Sequence, residues 1–423
     1  MREYQVIHLH DAMDHAQHTP TQVSDPSAIP ASFVVLMAAL MSVAAISIDA
    51  MLPALGQIGI DLHSAYANQP QLILSAVFGG MAIGQLLAGP VSDAIGRKPL
   101  LLACLALYMV GALICLLANT MGTMLVGRVI QGLGAAGPVV SCVSIVRDKF
   151  QGREMAKVLS LVMMIFIMAP VLAPALGQGI MLFAHWRMIF AFFVVYALAV
   201  GLWAALALQE TLPPSKRTPW RVATICNAAH QVVTHKATRS YALAMGLVLG
   251  SFIGYLLSTQ QIFQVQFQIG SIFVVYFGLQ ALGFGMSSLL NSRMVERLGM
   301  RFIVIRGLLA IIALGLLMAA LSTVMVVHFA MFFAFGLTSL FCVGLLLGNL
   351  NALAMEHMGH IAGTATAIIA AASNVVSLTF GTLIGQGYNG TLMPVALGFA
   401  TLGSAALWLV LRAERLQTPP DQA

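Results

Sequence analysis

The stretch Phe33-Val-Val-Leu-Met-Ala-Ala-Leu-Met-Ser-Val-Ala-Ala-Ile-Ser-Ile-Asp49-Ala-Met-Leu-Pro53-Ala-Leu55 carries a single charged side chain, Asp49. At about 1.5 Å per residue, a helix of this length crosses a hydrocarbon core of about 30 Å. Runs of the same kind recur near 70–92, 99–118, 122–146, 158–180, 186–208, 241–265, 272–292, 301–321, 326–348, 361–385 and 392–412. With 33–55 they predict an all-α membrane protein of twelve transmembrane helices. The alternation over about ten residues that marks a β-barrel strand is absent. Composition agrees. The 423 residues are 60% hydrophobic and 8% charged, with a mean hydropathy of +0.92. A soluble domain carries about 25% charged residues, so lipid is the expected solvent for much of this surface.

The net charge of +6 does not point to nucleic acid, because the basic residues sit in short loops. With the N-terminus in the cytoplasm, all of the 20 Lys and Arg residues except Arg128 and Arg187 fall in cytoplasmic segments. The loops near 56–69, 119–121, 266–271 and 386–391 hold none. This asymmetry predicts that both termini are cytoplasmic. The first 30 residues are polar, so no cleavable leader is expected. Their His8, His10, His15 and His18 read as part of a disordered tail rather than a metal site. The five cysteines lack metal or redox spacing; four read as small packing residues and Cys226 as a loop residue. No Gly-Lys-Ser/Thr phosphate loop is present, which argues against an ATP-driven pump. A polytopic enzyme would need a His, Asp or Glu cluster at one surface. The nearest grouping, Glu356, His357 and His360, reads as a loop.

The expected organisation is a tail over 1–30, a six-helix bundle over 31–208, a linker over 209–240, a second six-helix bundle over 241–412 and a tail over 413–423. The linker contains Pro213, Pro214 and Pro219, and its second part predicts an amphipathic surface helix with Val222, Ile225, Ala229 and Val232 or Val233 on one face. A weak repeat relates the halves. Aligning Gly96 with Gly299 also aligns Asp93 with Glu296 and Lys98 with Arg301. Two halves related by an axis along the membrane normal are a known transporter plan.

Asp49 is the one acid among 14 that lies well within a span, and Arg128 is the one base. An intramembrane charge costs a few kcal/mol even on the mild insertion scale, so both are candidate functional residues. Asp49 lies roughly 24 Å along a helix rising from the cytoplasm, and Arg128 roughly 9 Å below the opposite surface, so their depths nearly coincide. A functional pair is expected; a static salt bridge is the alternative. Pro53 cannot donate to the Asp49 carbonyl and predicts a bend beside it. Asp93 sits at the C-terminal end of its helix, where an anion is disfavoured. It is expected to find compensation in Arg97, Arg147 or another helix N-terminus, with Gly89 and Gly96 allowing a tight turn. Such a contact is either a gate latch between the halves or a fixed clamp. Pro170, Pro174 and Gly177 suggest a hinge or a close-packing face. Candidates for the lining of a central, mainly apolar pocket are Met41, Asp49, Gln131, Tyr255, Gln261, Tyr276, Gln280, Phe341 and Asn374, with helix-to-helix packing as the alternative at each.

Several of these residues resemble motifs of a known family. Leu125-Val-Gly-Arg128-Val-Ile-Gln131-Gly132-Leu-Gly134 resembles the fourth-helix motif of the major facilitator superfamily, and Gly89 to Lys98 its loop motif. Ala169-Pro170-Val-Leu-Ala-Pro174-Ala-Leu-Gly177 is similar to the fifth-helix motif of its drug/proton antiporters. Asp49-Ala-Met-Leu-Pro53, Trp186-Arg187-Met-Ile-Phe190 and Glu210-Thr-Leu look like the bicyclomycin/chloramphenicol resistance branch. Two positions depart from that branch: Ala50 stands where it usually has Met, and Ser258-Thr259 where it tends to have Ser-Pro. The resemblance implies proton-driven export of small, fairly apolar drugs across a bacterial inner membrane, by a monomer with no cofactor beyond the coupling proton. It implies that Asp49 is the proton site, Arg128 its neighbour and Pro170 to Gly177 the antiporter hinge. An importer or symporter of a small metabolite is the alternative on the same fold.

Overall fold

The computed structural model describes residues 30–217 and 222–417. The tail histidines, Pro219 and Arg221 lie outside these. Among the described residues all regular structure is helical. The chain runs through α1 (Ala31–Asp49), α2 (Leu55–Asp61), α3 (Leu72–Ile95), α4 (Arg97–Leu116), α5 (Met121–Lys149), α6 (Gly152–Phe183) and α7 (Arg187–Ala207). It continues through α8 (Val222–Thr234), α9 (Lys236–Gln260), α10 (Phe273–Leu298), α11 (Met300–Val324), α12 (Phe329–Met355), α13 (Ala362–Gln386) and α14 (Met393–Gln417). Among the described residues twelve segments are long and apolar enough to cross a membrane, α1 and α2 forming one broken span. Each expected run lies in one of them, with ends shifted by a few residues.

The expected linker is shorter than its predicted bounds, because α9 begins at Lys236. Its second part is the helix α8, so Cys226 lies in a helix and not in a loop. α8 packs against α13 and α9 rather than standing alone. In the first half α5 packs on α3 and α4, and α1 on α6. In the second half α9 packs on α13, α14 and α12, and α11 on α14. The halves meet along α3 with α13 and α6 with α10.

The sequence repeat has a structural counterpart. Gly96 (φ 111°) joins α3 to α4, and Gly299 (φ 79°) joins α10 to α11. Both occupy a backbone region that side chains with a Cβ avoid, so glycine permits both turns. Beyond each turn a basic residue meets acids from the ends of two other helices of its half. Arg97 pairs with Asp148 at 3.0 Å, while the Arg97 and Lys98 amides donate to Glu210 after α7. Arg301 pairs with Glu356 after α12 at 3.6 Å and with Glu414 in α14 at 3.1 Å. Each half thus closes a charged clamp at the same end of the molecule.

Candidate functional site

The first span breaks at its acid. α1 ends at Asp49, a 3-10 turn covers Leu52–Ala54, and α2 resumes at Leu55. The Ala50 amide still donates to the Ile46 carbonyl at 3.1 Å, but the Met51 amide turns back to Ile48 at 3.4 Å. The Ser47 carbonyl is thereby released from its helical donor. Arg128 takes it: Nη2 donates to Ser47 O at 2.9 Å, Nε to Ile73 O at 3.2 Å and Nη1 to Gln131 Oε1 at 2.7 Å. The guanidinium also sits 5.9 Å from the Phe190 ring centroid. Arg128 is fully buried and ties α5 to both α1 and α3.

Asp49 is buried at 7% exposure. Among the described residues no hydrogen bond or ion pair reaches it, and in particular none from Arg128. The expected pair is therefore not formed in this state. Ser47 and Asp49 lie two positions apart, about 200° around a helix, so the face that Arg128 holds is not the face of the carboxylate. α6 closes over the break. A Cβ on Gly177 would lie 1.9 Å from the Ala50 carbonyl oxygen, so only glycine lets α6 pack this close beside Asp49. α6 runs as one helix through Pro170 and Pro174, and in this state the segment serves as a close-packing face.

The pocket candidates divide. Met41 is buried on α1 and Gln131 is held by Arg128. The Tyr255 hydroxyl donates to Gln280 Oε1, and Gln280 Nε2 donates to Phe333 O at 3.4 Å. Both residues are fully buried and tie α9, α10 and α12 together, so they pack helices rather than line a cavity. Tyr276 packs edge-on against Phe329 and Phe333, with centroids 4.7 and 5.4 Å away. Phe341 is half-buried on α12. Asn374 Nδ2 crosses between the halves to Gln85 Oε1 at 2.8 Å.

Gln261 belongs to a cluster that sequence reasoning did not foresee. α9 continues into a π-helical turn, Gln261–Gln266, in the region where the sequence departs from Ser-Pro. Asn68, in the loop before α3, donates from Nδ2 to the carbonyls of Gln386 and Tyr388, each at 2.8 Å. Those acceptors fix the amide, so Asn68 Oδ1 must accept, and Gln261 Nε2 donates to it at 2.7 Å. Gln386 Nε2 returns a bond to Asn68 O at 2.7 Å, and Thr382 bonds Ser75 at 3.0 Å. The same logic leaves the buried Gln261 Oε1 without a donor. The halves are thus bolted together by neutral amides at the Asn68 end. The only sequence signal was a polar cluster in a loop without Lys or Arg.

The opposite end is charged. Asp93 is compensated by Arg97 Nη1 and not by Arg147, within one half. Arg97 also donates to Ser92 Oγ at 2.9 Å and to Asp148. A cleft of about 400 Å³ opens here between α3, α5 and α13, lined by Gln85, Gly89, Asp93, Arg147, Thr366 and Ala370 among others. Behind it, Glu210 caps α4. Partial burial opposes its charge, but amide donors from Leu212, Arg97, Lys98 and Thr211 prevail and hold its carboxyl below the usual range. A Cβ on Gly96 would lie 2.5 Å from that carboxylate. At the Asn68 end the Trp186 indole donates to Asp61 Oδ2 at 2.7 Å.

This geometry has relatives. Residues 31–382 match the family model described as Major Facilitator Superfamily. An uncharacterized MFS-type transporter, YdgK of Bacillus subtilis (strain 168), is 31% identical over 88% of this chain and 94% of its own. A bicyclomycin resistance protein homolog of Haemophilus influenzae is 27% identical over 90% of this chain and 94% of its own. The solved structure of the human organic anion transporter MFSD10 (TETRAN) covers 91% of this chain and all of its own with a TM-score of 0.69 at 18% identity, a likeness of fold. With its broken first span, paired six-helix halves and family match over most of its length, the chain belongs to the Major Facilitator Superfamily and is a multi-pass membrane transporter rather than an enzyme.

Proposed function

We propose that this transporter exports small, fairly apolar drugs in exchange for protons, working as a monomer in a bacterial inner membrane with both termini in the cytoplasm. The observation that carries this reading is Asp49, the lone acid well within a span, buried without a partner at a helix break. An unpaired carboxylate is costly to keep out of water, and taking up a proton removes the charge. Its proton affinity then depends on whether the break faces a wet or a dry setting, which is what alternating access changes. The kinship with a bicyclomycin resistance protein homolog supports the drug class and the outward direction. The state described has neutral amides joining the halves at the Asn68 end, beneath a surface pocket of about 770 Å³, and a cleft of about 400 Å³ at the Asp93 end; we read it as inward-facing because the amide cluster bridges the halves only at the former. The Asp93, Arg97 and Glu210 clamp lies within one half, so it would hold the rim of the inner cleft while the halves rock. With one coupling carboxylate, exchange of one proton for one neutral drug moves net positive charge inward and gains about 2.3 kcal/mol per 100 mV.

Cells expressing Asp49→Asn, compared with wild type for phenicol and bicyclomycin susceptibility and drug accumulation, test this. The variant should lose gradient-driven efflux while folding normally, since Asn is nearly isosteric. If Asp49→Asn exports a neutral drug against its gradient at the wild-type rate, the proton role of Asp49 is wrong. Flux into loaded vesicles rather than out of cells would point to an importer.

A further inference from the structure

At the Asp93 end, the linker helix α8 meets α9 at a histidine. His235 Nδ1 accepts from the Thr238 amide at 3.3 Å and is 2.9 Å from the Thr238 hydroxyl, so His235 is the N-cap of α9. Its ring lies 4.9 Å from that of His357, just beyond the end of α12. The two rings line a pocket of about 680 Å³ together with Thr234, Lys236, Arg301 and Glu356. We propose that His235 and His357 form a pH-operated latch that docks the linker onto the C-terminal half and releases it when the compartment at this end acidifies.

The cap works only while Nδ1 is unprotonated, because an imidazolium has no acceptor to offer. Three further effects oppose a charge on His235. The N-terminus of α9 repels a cation. His357 stands beside the ring and would repel it once charged. The surrounding ions give no relief: Lys236 from α9 and Arg301 from α11 are cations, and the nearby Glu356 and Glu414 are engaged with Arg301 at 3.6 and 3.1 Å. Burial and the neighbouring His357 both hold His235 below the ordinary histidine range. The sign follows. A group whose docked value is lowered stabilises the docked form fully above its free value, and that stabilisation is lost as pH falls through the docked value. The linker depends on this corner. The His235 amide closes the last turn of α8 on Gln231 at 3.0 Å, and Arg239 holds the Val233 carbonyl at 3.3 Å. If the transporter brings protons inward, as proposed above, it acidifies the side on which the latch sits, so the linker would sense the transporter's own product; the latch itself does not require that reading.

Hydrogen–deuterium exchange on the purified full chain, corrected for intrinsic rates, tests the latch without drug or gradient. Between about pH 7.5 and about pH 5.5, wild-type Thr238 should lose protection by about tenfold as the cap breaks. His235→Asn should keep it, since an Asn oxygen caps and does not titrate. His357→Gln should move the midpoint of the loss to higher pH, because it removes a repulsion. Acid-stable protection in wild type, an equal loss in His235→Asn, or an unmoved midpoint in His357→Gln would each overturn the proposal.

Discussion

Arg128 spends its guanidinium on neutral acceptors: two main-chain carbonyls on different helices and one side-chain amide. That arrangement needs a planar fork with donors in fixed directions, which lysine cannot reproduce. Arg128→Lys should therefore keep the charge yet release the Ser47 or Ile73 carbonyl, leaving a buried acceptor unpaired at a cost of about 1–3 kcal/mol. The expected result is a fold that survives and an efflux rate lowered by about tenfold or more, measured as drug accumulation in energised cells. Wild-type efflux in that variant would mean that the geometry at the break is not needed. Asp49 and Arg128 were legible as functional candidates because charge inside an apolar run is visible in one dimension. Their relation was not. Depth along two helices places residues in one layer of the membrane, but the angle around each helix decides which groups touch, and Ser47 holds the position that depth alone assigned to Asp49.

At the scale of elements, long apolar runs made the twelve spans legible, and the sharing of a glycine turn made the two-half repeat legible. What the runs do not encode is how a helix end is satisfied. Glu210 was noticeable only as part of a motif, yet it receives the first amides of α4 from a position after α7. Those donors favour the anion and outweigh partial burial, so the folded carboxyl lies below its unfolded value. Its contribution is therefore complete above the ordinary glutamate range and is lost as pH falls through the folded value. Glu210→Gln should lower stability by about 1 kcal/mol at neutral pH, a cap-sized effect on a half-exposed group, or a few degrees in thermal midpoint. The difference from wild type should shrink as pH falls below the ordinary glutamate range, as the wild-type carboxyl also takes a proton. A gap that persists unchanged in acid would show that the cap does not rely on the charge. The prolines of α6 illustrate the converse. Pro170 and Pro174 suggested a hinge or a close-packing face; in this state their helix continues, and the telling residue is Gly177, whose missing side chain seats α6 on the break in the first span.

The molecule as a whole is polarised. At one end the contacts between the halves are amides that do not titrate, the His185–Asp61 pair there lying within one half; the other end carries the Arg97 and Arg301 ion pairs, the Glu210 cap and the histidine pair. Closure at the Asn68 end should therefore be nearly insensitive to salt and pH, while the Asp93 end responds to both. None of this polarity is legible in local sequence, because it arises from residues separated by most of the chain, such as Asn68 with Gln386 and Tyr388. Asn68 is the pivot, since it donates twice to and accepts from the opposite half while Gln386 bonds its carbonyl. Asn68→Ala removes the side-chain bonds, each worth about 1 kcal/mol net, and at closure leaves the Gln386 and Tyr388 carbonyls without this donor and Gln261 Nε2 with only its longer bond to Ala67 O. Against a closed state that already buries the unpaired Gln261 oxygen, this should shift the population toward opening at that end. Ser75 reports the shift, being buried in this state and bonded to Thr382. In protein otherwise free of cysteine, Ser75→Cys should react with an impermeant maleimide about tenfold faster when Asn68→Ala is also present, a change of about 1.4 kcal/mol in the opening equilibrium. The acceleration should be the same at low and at high salt. Unchanged labelling would mean that apolar packing along α3–α13 and α6–α10, rather than the amide cluster, holds the halves together there.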